Sequence, residues 1–209
     1  MAVADRRAST GFRQAAEGIK TMAIVEANIS MSLDGFVAGP NLDRYPGLGE
    51  GGEVLHAWVD ESRGMDFAIG EERHIAGSVV TSRKVYDETG GWGGDGFYRM
   101  PVFVVTHRPH DVVVRGKTTF TFVTEGVGHA VEQATVAAGD KLVHIMGGAS
   151  IVQQALAAGL VDELFLHVAP VILNGGTRLF EHLGGPIQLE RAEVIESRDA
   201  THLRYRILR

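Results

Sequence analysis

Two adjacent glycines at the end of a predicted strand are the first residues whose position suits chemistry. Gly147 and Gly148 follow the apolar run 142–145 and precede a helical pattern that begins near Ala149. Backbone without side chains can approach a ligand closely. The following helix N-terminus offers unpaired amides and a partial positive charge, which suits a pyrophosphate, and Ser150 could cap the helix or bond a phosphate oxygen. Taken alone, a tight turn with close helix–sheet packing is the simpler explanation of this pair.

A second cluster, Thr-Ser-Arg-Lys at residues 81–84, lies where another predicted strand meets a short helix. Two adjacent cations beside two hydroxyls form a seat for an anion, and Arg83 can grip a phosphate with two parallel hydrogen bonds. Cations at a helix start are mildly unfavourable with the helix dipole, so a purely solvated face explains them less well than a ligand does.

The third cluster, Thr-His-Arg at residues 106–108, again follows a strand. The carboxyl ends of parallel strands meet at one edge of a sheet, where ligands of such folds bind. Because all three clusters fall on that edge, the sequence predicts a phosphorylated, dinucleotide-like ligand.

Other polar residues give weaker signals. Asp34 precedes Gly35 in a predicted turn, where a carboxylate by default bonds nearby backbone; it is the one weak candidate for a catalytic side chain. His144 lies inside an apolar strand and is expected to be a core histidine. With no cysteine in the chain, and no metal-ligand spacing between His107 and His110, no metal site is predicted.

These residues must be positioned by strands and helices that alternate along the chain. Helical spacing also covers residues 53–75, with Gly64 dividing it. Strands are predicted at 23–29, 78–81, 102–105, 119–123, 141–145 and 162–169, helices at 83–88, 127–138 and 149–158, and a C-terminal hairpin at 187–197 and 202–208. This order predicts a single three-layer α/β domain (αβα) with a mostly parallel central sheet and an antiparallel C-terminal hairpin. Residues 1–21 are expected to form a flexible extension and residues 22–209 the domain.

Composition limits the classes of partner. The chain has 209 residues, a formal net charge of −6 and an apolar fraction of 44%. Negative charge argues against a nucleic-acid partner, and no apolar run approaches the roughly 20 residues needed to cross a bilayer. The absence of cysteine is compatible with a reducing compartment. We therefore expect a cytoplasmic protein with a small-molecule substrate.

Residues 159–173, Gly-Leu-Val-Asp-Glu-Leu-Phe-Leu-His-Val-Ala-Pro-Val-Ile-Leu, are followed by Gly-Gly-Thr-Arg-Leu-Phe at 175–180. This stretch closely resembles the reductase domain of riboflavin-biosynthesis deaminase–reductases, a member of the dihydrofolate-reductase-like superfamily. Ser-Leu-Asp-Gly at 32–35, the segment with Arg83 and Tyr86, and Met-Gly-Gly at 146–148 follow in the family's order, so that the resemblance spans residues 22–208.

The resemblance implies a dihydrofolate-reductase-like fold, NADPH as cofactor and a homodimer. It places the cofactor phosphates near the three clusters and the nicotinamide near Ile29, Ser30 and Val37. The implied cofactor-binding residues are Ser82, Arg83, Lys84, Thr106, His107, Arg108, Gly147, Gly148, Ala149, Ser150, Ile151 and Val37. The implied substrate-side residues are Asn28, Ser30 and Trp58.

Three positions depart from the patterns of related enzymes. Ser82 replaces a usual glycine, Met146 replaces the glutamate that holds substrate in the riboflavin-pathway reductases, and Leu55 stands where dihydrofolate reductases place an acid. The sequence therefore predicts an NADPH-dependent reductase of a small heterocycle, pyrimidine- or pteridine-like, and leaves the substrate open. Two alternatives stay open: a nucleotide-binding protein or sensor without turnover, and a reductase that uses a flavin or deazaflavin.

Overall fold

The structure, a computed structural model, describes residues 23–59 and 75–209. The predicted extension at 1–21 and most of the predicted helical region at 60–74 lie outside the described residues. The strands are β1 Val25–Ser32, β2 Phe36–Ala38, β3 Ala76–Ser82, β4 Pro101–Val105, β5 Val113–Arg115, β6 Thr118–Val123, β7 Leu142–Ile145, β8 Glu163–Ala169, β9 Thr177–Arg178, β10 Leu189–Glu196 and β11 Thr201–Ile207. The α-helices are α1 Arg83–Glu88, α2 Val127–Ala138 and α3 Ala149–Ala157, and a 3-10 helix covers Gly52–His56.

Nine strands form one sheet in the order β10-β11-β8-β1-β7-β3-β4-β6-β5. The six central strands, from β8 to β6, are parallel, whereas β11 and β10 continue one edge and β5 the other with antiparallel pairing. Strands β2 and β9 form a separate antiparallel pair. The predicted α/β fold with its mostly parallel sheet and C-terminal hairpin is confirmed.

Two hydrophobic clusters cover the two faces of the sheet. The larger one joins β1, β7 and β8 to the apolar sides of α2 and α3. The smaller one packs Tyr86 of α1 against Val79, Val102 and Phe120. Since neighbouring residues of a strand point to opposite faces, Glu26, which follows Val25 of the larger cluster, faces the α1 side. The helices therefore form two layers around the sheet, as the pattern predicts.

Close packing explains one glycine in β3. A Cβ placed on Gly77 would lie 2.7 Å from the backbone oxygen of Ala138, at the end of α2, so a side chain here would push the helix away from the sheet.

In the part of the chain that the structure describes, no helix combines the length and apolarity that a bilayer span requires.

The sequence pattern did not predict the short strands β2, β5 and β9, and the structure also differs in the predicted helical region. Strand β5 was not predicted because Val113–Arg115 is three residues long and directly precedes the turn at Gly116. Within the predicted helical region, the described residues form the 3-10 helix Gly52–His56, and Leu55 is its fully buried member.

Candidate active site

A cavity of about 620 Å³ opens at the carboxyl ends of β1, β3 and β7 and continues along the α1 face of the sheet. It is lined by ten of the residues that the sequence predicts for the site. These are Asn28, Ser30, Val37, Trp58, Ser82, Lys84, Gly147, Gly148, Ala149 and Ser150. The structure thus brings together the predicted substrate side and most of two predicted phosphate clusters.

The loop between β7 and α3 forms the outer wall of this cavity. Gly147 has φ +108°, a conformation that favours glycine, and its peptide bond with Gly148 is cis. The Gly147 carbonyl accepts hydrogen bonds from the Ser82 amide and the Thr81 hydroxyl, both at 3.1 Å. Because the first amides of α3 have no acceptor within the helix, Ala149 and Ser150 present donors where a phosphate would sit.

Ser82 connects the two phosphate clusters. Its hydroxyl accepts hydrogen bonds from the Val85 amide at 3.1 Å, as the N-cap of α1, and from the Gly148 amide at 3.3 Å. The serine that departs from the family's usual glycine is therefore a link between α1 and the β7–α3 loop. Of the two cations of this cluster, Lys84 lines the cavity and forms an ion pair with Glu88 at 3.7 Å.

Other predicted cofactor residues lie outside the cavity lining. Arg83 forms an ion pair with Asp87 at 2.8 Å and lies over the rings of Tyr86 and Phe122. Ile151 is buried in the larger hydrophobic cluster.

The cluster at 106–108 also lies outside that lining. The Thr106 hydroxyl accepts a hydrogen bond from the Arg108 amide at 3.1 Å, while His107 and Arg108 are exposed. Their predicted role near the adenosine 2′-phosphate stays a prediction.

The Asp34 carboxylate binds main-chain amides of a neighbouring loop. Its carboxylate accepts hydrogen bonds from the Ser32 hydroxyl at 2.6 Å, the Leu173 amide at 3.1 Å and the Asn174 amide at 2.8 Å. The Ser32 hydroxyl, followed by these amides, lowers the pKa of Asp34. The carboxylate holds the 171–174 loop against the β1–β2 turn and is absent from the cavity lining, which fits its predicted turn role.

The inner end of the cavity is aromatic and polar, with His56, His144 and His167 in its lining. Trp58 covers this end: its ring lies 4.1 Å from that of His167, and its indole N–H donates to the Ser30 hydroxyl at 3.0 Å. Burial lowers the pKa of all three histidines, to about 4 for His144 and about 3 for His167, where His202 and the other two histidines add to the effect. They are therefore neutral at pH 7.

Behind these histidines lies a buried ionic network around Glu26. The Glu26 carboxylate is fully buried, binds the guanidinium of Arg204 and lies 3.1 Å from Nε2 of His144. Arg204 also approaches Glu163 at 3.4 Å and Glu193 at 3.5 Å. Burial of a carboxylate is tolerable here because a charged partner and hydrogen bonds accompany it.

Sequence reasoning missed Glu26, Arg204 and the histidine pair His167–His202. A signal existed, because Glu26, Asn28 and Ser30 on β1 alternate with buried apolar residues, and His202 and Arg204 on β11 alternate with partly buried apolar ones. Polar residues of period two within otherwise buried strands indicate a shared polar layer on one sheet face.

The glycine-rich loop after α1 supplies an aromatic wall. Trp92 and Tyr98 line the cavity, with ring centroids 5.0 Å apart. The Tyr98 hydroxyl donates to the sulfur of Met146, the residue at the position of the family's glutamate, and burial raises the pKa of Tyr98. From β5, the Arg115 guanidinium donates to the carbonyls of Gly90, Gly91 and Gly93, the last at 2.9 Å.

A family model decides the relationship of this chain to known proteins. The model of the RibD C-terminal domain matches residues 23–203. The chain belongs to the RibD C-terminal domain family. No curated protein sequence matches it. The match covers β1 to β11 up to Leu203 and includes every cavity-lining residue.

Solved structures show the same fold. A protein of Shewanella sp. PV-4 assigned to riboflavin biosynthesis is 21% identical, with a TM-score of 0.67 over 90% of this chain and 100% of that one. The deaminase/5-amino-6-(5-phosphoribosylamino)uracil reductase of Thermotoga maritima is 15% identical, with a TM-score of 0.60; the match covers 90% of this chain but 58% of that one. Dihydrofolate reductase of Enterococcus faecalis, complexed with NADP(H), is 15% identical, with a TM-score of 0.54 over 88% of this chain and 96% of that one.

Proposed function

We propose that this RibD C-terminal domain protein is an NADPH-dependent reductase of a small, uncharged heterocycle of the pyrimidine or pteridine kind. The observation that carries the proposal is the single cavity that joins the amino end of α3, next to Lys84, to an inner end with Trp58, Asn28 and His167. A dinucleotide needs such a continuous path from a phosphate seat to a substrate chamber. The names of the Thermotoga and Enterococcus proteins, a phosphoribosylaminouracil reductase and a dihydrofolate reductase with NADP(H), support a pyrimidine or pteridine ring as substrate and NADPH as cofactor.

The residues at the outer end fit NADPH. The amides of Ala149 and Ser150 and the ammonium of Lys84 would hold its phosphates, and Val37 with Ser30 would lie beside the nicotinamide. When bound, NADPH supplies a hydride. The protein contributes orientation of the two reactants and a chamber from which Trp58 and Trp92 exclude water.

The substrate end carries uncharged polar groups. Asn28 and the neutral histidines His56, His144 and His167 offer hydrogen bonds among aromatic and thioether side chains. Among the lining residues in the described ranges, Lys84 is the one cation, and it lies at the cofactor end. This favours a planar heterocycle with N–H and C=O groups.

A side-by-side thermal unfolding series with NADPH, NADH, a flavin nucleotide and no ligand tests the proposal. A ligand at 100 times its Kd that binds only the folded protein adds about 2.7 kcal/mol to stability. We expect a rise in Tm with NADPH well above that with NADH. A rise with the flavin alone would favour the flavin-dependent alternative, and no rise with any of them would remove the cofactor assignment.

A second measurement separates an enzyme from a sensor. NADPH oxidation is followed by the loss of its absorbance, with uncharged pyrimidines and pteridines compared with their phosphorylated counterparts as acceptors. Binding of NADPH without oxidation by any acceptor would favour the nucleotide-binding protein without turnover.

A further inference from the structure

A line of hydrogen bonds leads from the inner end of the cavity to the surface of the C-terminal hairpin. His167 Nε2 lies 2.9 Å from Asn28 Oδ1, and His167 Nδ1 lies 2.7 Å from His202 Nδ1. His202 Nε2 lies 3.0 Å from the hydroxyl of Ser197, an exposed residue between β10 and β11. Asn28 and His167 line the cavity, so the line joins it to solvent.

The hydrogen bonds at the cavity end of this line determine where each proton lies. The Asn28 amide nitrogen donates to Glu26 Oε1 at 3.3 Å, which turns the amide oxygen toward His167. His167 Nε2 must therefore carry a proton. In a neutral ring Nδ1 is then an acceptor, so the proton between the two histidines belongs to His202. By the same rule His202 Nε2 accepts from the Ser197 hydroxyl.

Ser197 has a second acceptor within reach. Its hydroxyl lies 2.9 Å from the carbonyl of Ala200. When the hydroxyl turns to Ala200, its oxygen can accept from a protonated His202 Nε2. Both the neutral pair and a pair with one added proton are thus satisfied by rotation of one hydroxyl, as a device for admitting protons requires.

We propose that Ser197, His202 and His167 conduct the proton that the proposed reductase consumes, with His167 as the group that hands it to the substrate. This inference rests on the proposed function. A hydride from NADPH adds to the carbon of a C=N or C=O bond, whose π electron pair moves to the heteroatom. The heteroatom, bound where it shares this hydrogen with Asn28 Oδ1, takes the Nε2 proton of His167. His167 Nδ1 takes the proton of His202, His202 Nε2 takes that of Ser197, and water reprotonates Ser197. NADPH is oxidised to NADP⁺, and the substrate gains one hydride and one proton, which together are two electrons and two protons.

Burial and the neighbouring histidines keep the pair neutral before reaction. His56 and His144 approach His167 from the 3-10 helix and β7, and Glu26 faces it through Asn28. On β11, Arg204 lies two residues from His202 and is occupied by Glu26, Glu163 and Glu193. Burial lowers the pKa of both His167 and His202. The neutral line therefore has protons available at every position at pH 7.

Histidine-selective ¹⁵N NMR of the whole protein, with NADPH as the added probe, tests the line directly. In the wild type we expect His167 as the Nε2–H tautomer and His202 as the Nδ1–H tautomer, with a shared proton that exchanges with water. Ser197→Ala should shift the His202 tautomer and slow this exchange, while His129→Gln, on the exposed side of α2, should change neither. Two Nε2–H tautomers in the wild type, or unchanged exchange in Ser197→Ala, would overturn the proposal.

Kinetics give the second readout. The acceptors carry a C=N or C=O bond and include the 5-amino-6-(5-phosphoribosylamino)uracil of the Thermotoga enzyme. General acid catalysis is worth roughly 10²–10⁴-fold, so His202→Gln should lower kcat by about that factor with KM unchanged. Full kcat in His202→Gln would refute proton delivery. The NADPH-dependent rise in Tm should survive in this variant. If NADPH did not raise the Tm of the wild type, that result would instead count against the proposed function. The histidine tautomers would still show whether the line of hydrogen bonds has the proton positions given above.

Discussion

The hydroxyl of Ser82 accepts a hydrogen bond from the amide of Gly148 at 3.3 Å and so joins the start of α1 to the loop before α3. These segments are 66 residues apart in the chain. Both contribute to the wall against which the cofactor phosphates are proposed to bind. This side chain reinforces the hydrogen bonds from the Ser82 amide and the Thr81 hydroxyl to the Gly147 carbonyl, and so helps to fix the distance between the two phosphate seats.

Replacement of Ser82 tests this link. Ser82→Ala removes the acceptor for both Val85 and Gly148, and loss of an N-cap of this kind costs about 1 kcal/mol. Ser82→Gly should cost only a few tenths of that as a cap but should still release Gly148. We expect both variants to bind NADPH more weakly. Urea unfolding should show a larger loss of stability in Ser82→Ala than in Ser82→Gly. Equal affinity of all three proteins for NADPH would show that the link does not shape the site.

The two neighbouring cations should differ in their effect on cofactor binding. Lys84 lines the cavity, whereas Arg83 is held by Asp87 outside it. Loss of a hydrogen bond to a charged group costs about 1.5–3 kcal/mol, or roughly 10- to 100-fold in Kd. Lys84→Ala should therefore weaken NADPH by that order and Arg83→Ala by much less. Fluorescence titration with NADPH and NADH provides the measurement, and the reverse ranking would restore the role that the sequence predicts for Arg83.

Arg115 should control the order of the glycine-rich wall. Its guanidinium donates to three carbonyls of the loop that carries Trp92. Arg115→Ala should lower the free energy of unfolding by about 1 kcal/mol and make the loop at 89–96 more sensitive to protease. Lys117→Ala, an exposed cation two residues away, serves as the matched control. Indistinguishable digestion of the two variants would contradict this role.

Acid should destabilise the protein through its buried histidines. The pKa of His144 falls to about 4 in the folded protein from 6.5, so between these values the unfolded chain binds more protons. The contribution of His144 to the free energy of unfolding is then fully present above pH 6.5 and decreases as the pH falls. Between pH 7 and pH 5 the loss from His144 alone is about 2 kcal/mol. His167 acts in the same direction. Urea unfolding at the two pH values should show that the free energy of unfolding falls less in His144→Gln than in His129→Gln. Equal decreases in the two variants would argue against this explanation.

The sequence predicts the layers of the fold well because they depend on local patterns. Apolar periodicity and glycine stops place α1 and α2 at their observed bounds, and the glycine pair marks the start of α3. The same reasoning finds Ser82, Lys84 and residues 147–150, since their position at strand ends follows from local order.

The polar layer could not be predicted as a layer because its contacts join distant strands. Glu26 meets Arg204 across 178 residues, and His167 meets His202 across 35. Register between β1, β8 and β11 decides which polar residues face each other, and single-strand patterns contain no register. Arg83 pairs with Asp87, one helical turn later, and its role toward the cofactor stays a prediction.

The pairing of Glu26 on β1 with Arg204 on β11 has a consequence during synthesis. A nascent chain that has extended only as far as β8 already contains the strands that bury Glu26, His144 and His167, but lacks the cation and the second imidazole that satisfy them. A buried carboxylate without its partner costs several kcal/mol. The domain therefore reaches its final stability when β11 leaves the ribosome, and chains that stall before Arg204 should be the ones that chaperones and proteases engage.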